Sequence, residues 1–382
     1  MKRYILIVAA VALATVSCSR NYDVNPAGEG AEIGFGTWAE NLTKAEAREA
    51  GTSTFLAGDT FAVYGYKAAS DDSGKTTAFD DDVVTASGSG SLTWDYPNHR
   101  FWDVNFDKYV FFGISPSAIG TAAEVNAQTG AITSQTISFT GKNNDILVAE
   151  KTTVNKGDSP YFNNYGTVNM VFNHVASLVD LKVKKSPALA NATVTVSAIA
   201  FENIQSAGVL TVTEYNKTTA TSSNGAAASW SSTATASYGP ASGVESVDIT
   251  SPIEIAQDPA FNAATPAAPT GSTDLIKKLV VKPQTFDDTK NASVSQKLTV
   301  TYQVAVTDGA GNSSSNEYTS TLWLSDFDIV DDAAQDDTKV ASWEAGKHYT
   351  FYITIDANEI KFSASINDWV STDATGYHYL LN

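Results

Sequence analysis

The chain has 382 residues, a formal net charge of −18 and one cysteine. A surface this acidic repels nucleic acid and anionic lipid, which argues against a DNA- or RNA-binding role. The lone cysteine rules out an intrachain disulfide, so stability must come from buried apolar area, and the length is enough for two ordinary domains.

Lys2 and Arg3 precede a continuous apolar run over residues 5–14, and Val16 and Ser17 lead into Cys18. Positive charge, apolar stretch and small residues at a cleavage point follow the order of a secretory signal. The run is shorter than the roughly 20 residues a membrane-spanning helix needs. Cys18 stands where a signal peptidase requiring cysteine at the new N-terminus would leave it. The expectation is a signal over residues 1–17 and a bacterial lipoprotein acylated on Cys18, with the rest tethered outside the membrane. Thr15 departs from the usual leucine of a lipobox, and an ordinary signal peptide with an incidental cysteine is the alternative.

Beyond the signal the pattern is that of strands. Phe61, Val63 and Gly65 alternate with Ala62, Tyr64 and Tyr66; Val179, Leu181 and Val183 alternate with Asp180, Lys182 and Lys184. Leu298, Val300, Tyr302, Val304 and Val306 alternate with Thr299, Thr301, Gln303 and Ala305, and Phe351, Ile353 and Ile355 with Thr350, Tyr352 and Thr354. Period two predicts one set on a buried face and the other outward. Turn-forming runs at 71–74, 308–312 and 356–358 separate the strands. Residues 45–50 have helical propensity but are short. The predicted fold is all-β, built of antiparallel sandwiches. A boundary is expected near Lys184, Lys185, Ser186 and Pro187, dividing residues 49–185 from residues 186–382. Residues 218–270, rich in Ala, Ser, Thr, Gly and Pro, read as long loops and short edge strands of the second unit.

Chemistry is hard to find. His99, His174, His348 and His378 are scattered, with no i, i+4 pair and no cysteine partner, so zinc-ligand spacing is absent. His174, within a strand, reads as a hydrogen-bonding core histidine. Nucleophile-elbow, P-loop and dinucleotide patterns are missing. The carboxylates Asp80, Asp81 and Asp82, and Asp326, Asp328, Asp331, Asp332, Asp336 and Asp337, lack an ordered calcium-ligand pattern and read as solvated loops. Asp368 reads as a strand-end residue, and most Trp and Tyr fit packing roles. No catalytic residue, cofactor or metal is expected, and the chain is not read as an enzyme.

Read in order, the motifs form a set. Residues 55–66 are FLAGDTFAVYGY; Trp94, Asp95 and Tyr96 follow, then Phe101 and Trp102, then YVFFGISP at 109–116. NDILVA stands at 144–149, VFNHV at 171–175, VKPQ at 281–284, WEAGKHY at 343–349 and ASINDW at 364–369. This ordered set resembles the fimbrillin family, the pilins and fimbrillin-like lipoproteins of type V fimbriae, over nearly all of the chain after Cys18. The resemblance implies two transthyretin-like β-sandwich domains in tandem, and a lipid-anchored precursor at the outer membrane that assembles on the cell surface. It also implies that an Arg-directed protease removes an N-terminal segment, and that an extended terminal segment of another subunit fills the groove left behind. The physical basis would be strand addition, in which an open sheet edge offers unpaired backbone groups and pockets take alternate side chains.

Plausible parts for that mechanism are present. Residues 32–38 read EIGFGTW, with Ile33, Phe35 and Thr37 on one face, a candidate removable strand. Arginine occurs at Arg3, Arg20, Arg48 and Arg100, and Arg48 lies between that strand and the first strand of the domain. The bond between Arg48 and Glu49 is the candidate cleavage point, which makes residues 18–48 the segment removed; a surface arginine in a linker is the alternative. At the other end Phe362, Ala364 and Ile366 alternate with polar residues, Trp369 follows, and Tyr377, Tyr379 and Leu381 share one alternation. These are the candidate donor strand; the alternative is a last strand folded back into its own sheet, as in a tip subunit. Two functions stay open. One is a fimbrial subunit supporting adhesion and biofilm, with other subunits as partners through β-strand addition. The other is a monomeric lipid-anchored protein that binds glycans or host glycoproteins.

Overall fold

The computed structural model describes residues 29–38, 55–88, 92–120, 124–139, 145–158, 167–215, 226–230, 234–238, 253–254, 273–329, 339–356 and 360–368. Cys18, Arg48, Glu49, Trp369, Tyr377, Tyr379 and Leu381, and the helix-prone residues 45–50, lie outside the described residues. Nearly all of the regular structure described is strand. Among the described residues, helix is confined to Ser117–Gly120 and the 3-10 turns Pro187–Leu189 and Leu324–Asp326. No described helix is long and apolar enough to cross a membrane.

Three sheets hold most strands. The first runs, in spatial order, Gly34–Trp38, Thr167–His174, Leu147–Ala149, Lys108–Ser115, Thr60–Ala68, Thr76–Ser87 and Thr93–Asp95. Thr152–Asn155 pairs with the other end of Lys108–Ser115. The second runs Ser313–Trp323, Lys297–Thr307, Ala192–Tyr215, Ile132–Ser138 and Glu124–Val125. The short strands Ala226–Trp230, Ala234–Tyr238 and Ile253–Glu254 pair along Ala192–Tyr215, in keeping with the short strands read for residues 218–270. The third runs Thr273–Val281, Ser177–Lys185, Lys347–Ile355, Ile360–Asp368 and Asp328–Ile329.

Pairing is antiparallel with three exceptions, each joining strands far apart in sequence. Gly34–Trp38 lies parallel to Thr167–His174, Ser177–Lys185 to Lys347–Ile355, and Asp328–Ile329 to Ile360–Asp368. Parallel neighbours need a long connection, so local hairpin signals cannot announce them.

Three apolar clusters fill the spaces between layers. One face of the first sheet, with Phe61, Val63, Phe79, Phe111, Met170 and Phe172, is covered by Ile33, Phe35, Phe55, Tyr96 and Trp102. The opposite face, with Ala62, Tyr64, Tyr66, Val110, Phe112 and Ile114, packs on Ile132, Phe139, Leu210 and Val212. The third cluster joins Val179, Leu181, Val183, Phe351 and Ile353 to Val194, Val196, Phe201, Leu298 and Val300. The 24-residue strand Ala192–Tyr215 therefore serves two cores, its first half one and its far end another.

This layering corrects the expectation of one buried and one outward face on three strands. Ala62, Tyr64 and Tyr66 are as buried as Phe61 and Val63, because each face of their sheet meets an apolar layer. Asp180, Lys182 and Lys184 are buried opposite Val179, Leu181 and Val183, and so are Thr350 and Tyr352 opposite Phe351 and Ile353. Ser177–Lys185 has a strand on either side, and Asp180 is satisfied by His348 at 3.0 Å. In Lys297–Thr307 the expected alternation holds over its first half, with Leu298, Val300 and Tyr302 buried and Gln303 exposed. Val306, at the tip of that hairpin, is exposed.

Lys282 is buried next to this layer, and its amine donates to the carbonyl oxygen of Pro283 at 3.1 Å. Burial disfavours the ammonium form and lowers its pKa from 10.5 to about 8. The folded state then holds fewer protons than the unfolded state between these values, so this lysine makes stability rise as pH climbs from about 8 to 10.5. At one pKa unit per 1.36 kcal/mol, the gain is on the order of 3 kcal/mol. Denaturant unfolding of the wild type against Lys282→Met across that window should show the variant lacking the rise. Equal slopes would refute the assignment.

Candidate functional site

The region that stands apart is the early segment, Glu29–Glu32 and Gly34–Trp38, together with its seat. Among the described residues Gly34–Trp38 is the outermost strand of the first sheet, paired there with Thr167–His174 alone, with Phe35 opposite Val168 and Gly36 opposite Asn169. Its side chains explain its place. Ile33 is fully buried and Phe35 nearly so, while the glycines on either side of Phe35 put no side chain on the other face at those two positions. A Cβ added at Gly36 would come within 2.8 Å of the Asn169 side-chain oxygen, so this face fits flush against its neighbour.

Phe35 is the plug. Its ring makes edge-on contacts with Phe61, Phe79, Tyr96 and Phe111 at centroid distances of 6.0, 5.4, 5.6 and 5.8 Å. Such geometry sets the positive ring edge against a negative face and adds to the gain from area burial.

The other half of the segment is held by residues 95–103. Glu29–Glu32 pairs with Phe101–Asp103, and the Ile33 amide donates to the Arg100 carbonyl at 2.8 Å. The Tyr96 hydroxyl donates to the Ile33 carbonyl at 2.8 Å and accepts from the Arg100 amide at 3.0 Å. Burial pushes the Tyr96 hydroxyl well above its ordinary pKa, so it stays a donor. His99 lies between two carboxylates, with Nδ1 2.7 Å from Glu32 and Nε2 3.2 Å from Asp95. Sequence reasoning missed this trio. The Asp95/His99 spacing of four is visible in the chain but holds a single histidine, and Glu32 joins only through the tertiary fold.

The strand beneath the plug is itself pinned. Asp145 and His174, from the NDILVA and VFNHV motifs, meet at 2.9 Å between Oδ1 and Nδ1, both buried. The contact ties those two motifs to each other, and His174 is the hydrogen-bonding core residue expected. The acidic run 80–82 departs from the solvated loop expected. Asp82 is buried and takes the Arg100 guanidinium at 3.3 Å, and Asp81 accepts from the Tyr64 hydroxyl at 3.0 Å. Asp326 and Asp328 pair with Lys290 and Lys339 at the surface.

Of the remaining expected site residues, Thr37 lies in the early strand opposite Met170. Phe362, Ala364 and Ile366 lie in Ile360–Asp368, which pairs along its whole length with Lys347–Ile355 of the same chain, so as placed they fold back into their own sheet. The structure does not bring them near the early segment's seat in sheet order.

Fold and site define an all-β protein whose outermost strand plugs its own aromatic core. Comparison with known proteins names the group. The Fimbrillin-like family profile matches residues 43–369, a span that begins after the early segment. The chain belongs to the fimbrillin-like family. A search of curated proteins found no match. Among solved structures, a fimbrial protein from Bacteroides vulgatus ATCC 8482 is 17% identical, with 88% of this chain and 99% of that one covered at a TM-score of 0.55. A protein provisionally assigned to cell adhesion, from Bacteroides uniformis ATCC 8492, is 16% identical over 88% and 98% of the two chains, with a TM-score of 0.44. The C-terminally truncated tip fimbrial protein Mfa3 of Porphyromonas gingivalis is 12% identical over 85% and 97%, at 0.36. The first of these supports a shared fold. The family is one of fimbrial proteins of the cell surface, and not an enzyme family.

Proposed function

We propose that this fimbrial adhesion subunit is exported as a lipoprotein acylated on Cys18, and that it joins a surface fimbria of the outer membrane by exchanging its early strand for one from another subunit. The observation that carries the reading is the edge position of Gly34–Trp38 with Ile33 and Phe35 plugged into an aromatic core. An edge strand leaves without breaking a sheet in two, and its departure opens a row of backbone donors and acceptors beside an apolar pocket. Cleavage between Arg48 and Glu49 would free the segment together with its lipid. The donor is then the stretch from Trp369 onward, with Tyr377, Tyr379 and Leu381 on one alternation, because Phe362, Ala364 and Ile366 are already paired at home. Transthyretin-like sandwiches in tandem belong to the same proposal, with the division drawn ahead of Ser177 rather than at residue 185, because Ser177–Lys185 pairs with Thr273–Val281 and Lys347–Ile355.

The paired Ile360–Asp368 strand favours a second reading, a subunit that ends a fibre or a tethered protein that binds glycan or host glycoprotein. An Arg-specific protease, followed by mass mapping and size-exclusion chromatography, separates the two. Strand exchange predicts a cut after Arg48 and then heat-resistant, high-mass species whose amount rises with protein concentration. A cut chain that stays monomeric at every concentration would sink it and leave the second reading.

A further inference from the structure

We infer that Glu32, Asp95 and His99 form a binding site for a first-row divalent metal ion, of the zinc type, that latches the early segment to the body of the protein. One ligand atom from each of the three side chains lies within 4.8 Å of the other two. Around a common ion with bonds of about 2.0–2.2 Å, such atoms stand closer than that, and a side-chain movement of about one ångström brings them there. All three reach solvent, with side-chain exposures of 17% for Glu32, 55% for Asp95 and 36% for His99, so an ion has access.

The backbone around the trio is fixed, and the His99 ring is steadied with it. Glu32 is paired opposite Phe101, and the adjoining Ile33 is hydrogen-bonded through both its amide and its carbonyl. His99 packs its ring against Tyr96 at 5.3 Å, and Tyr96 is buried. Glu32 stands at Nδ1 and Asp95 at Nε2 of the same imidazole, so one ring nitrogen would ligate the ion and the carboxylate at the other would swing across to join it. A mixed set of one imidazole and two carboxylates selects a borderline ion such as zinc, whereas calcium and magnesium prefer oxygen alone. The fourth position is left to water.

Position gives the site its meaning. Glu32 belongs to the early segment, while Asp95 and His99 belong to the 95–103 stretch that clamps it. An ion bound by all three ties the segment down and must be released before the segment leaves. The latch rests on the strand-exchange reading; the binding of the ion does not.

The test uses the full chain after chelator treatment, titrated calorimetrically with zinc chloride, and separately with calcium chloride. We expect one equivalent of zinc, little response to calcium, and affinity lowered about tenfold or more in Glu32→Gln and in His99→Ala. Near-UV circular dichroism in chelator checks that both variants keep the wild-type fold. An intense cobalt(II) absorption band, lost in His99→Ala, reports low-coordinate nitrogen and oxygen ligation independently. Zinc should also slow the loss of the segment after Arg-specific cleavage in wild type and in neither variant. No zinc binding, or binding unchanged in either variant, would overturn the site. Binding without slower release would overturn the latch. A zinc-free cut chain that never assembles would count against strand exchange and leave the site standing.

Discussion

Replacing Phe35 with alanine is expected to destabilise the chain by about 3–5 kcal/mol, among the largest effects of any single truncation. The ring is buried among four aromatic partners, and among the described residues the early strand pairs with Thr167–His174 alone to hold the vacated space closed. The loss has two components. The transfer of a phenyl group to water and the cavity left against Phe61, Phe79 and Phe111 account for one. The other is cooperative, because a strand that loses its plug also weakens the Gly34–Trp38 pairing with Thr167–His174. Hydrogen exchange at residues 29–38 distinguishes local undocking from global unfolding. Faster exchange confined to those amides, with the rest of the first sheet protected, is the pattern expected of a detachable segment. A change in stability below about 1 kcal/mol would show that Phe35 does not hold the segment.

Removing one member of the buried Asp145–His174 pair should cost about as much. Both side chains are almost fully enclosed, and they join Leu147–Ala149 to the end of the strand on which the early segment sits. With His174→Ala, the Asp145 carboxylate loses this partner in a place water does not reach, a situation that typically costs about 3–5 kcal/mol. With Asp145→Leu and His174→Leu together, most of that penalty should vanish, since an apolar pair leaves no buried charge behind. Unfolding of both single variants and the double variant makes the comparison. A double variant as damaged as the sum of the singles would contradict the coupling.

The parts legible in the sequence are those encoded locally. Alternation over residues 60–68, 177–185, 297–307 and 347–355 located four central strands, and the ordered motifs pointed to the family whose profile matches the chain. EIGFGTW was legible as a strand with Ile33 and Phe35 on its buried face. Alternation reports that neighbouring side chains point to opposite faces, and it is silent about what covers each face. That is why Tyr64, Lys184 and Tyr352 were expected outside and lie inside. Nor does any local pattern indicate that Ala192–Tyr215 runs through two cores, because Val194 and Leu210 are equally apolar wherever they pack. The Glu32, Asp95 and His99 cluster was hidden for the same reason. Residues more than sixty positions apart become neighbours only when the early strand docks beside Phe101–Asp103.

The central claim is that the seat of the early strand accepts a strand from another chain, and a competition experiment addresses it directly. The chain cut after Arg48 is incubated with an excess of labelled peptide carrying the sequence of residues 29–38, and assembly is followed by size-exclusion chromatography. The account predicts that the peptide binds in one-to-one ratio and keeps the cut chain monomeric. The same peptide with its Phe35 position changed to aspartate should do neither. Assembly that proceeds unchanged with the seat peptide bound, or a cut chain that takes up neither peptide nor partner, would contradict it.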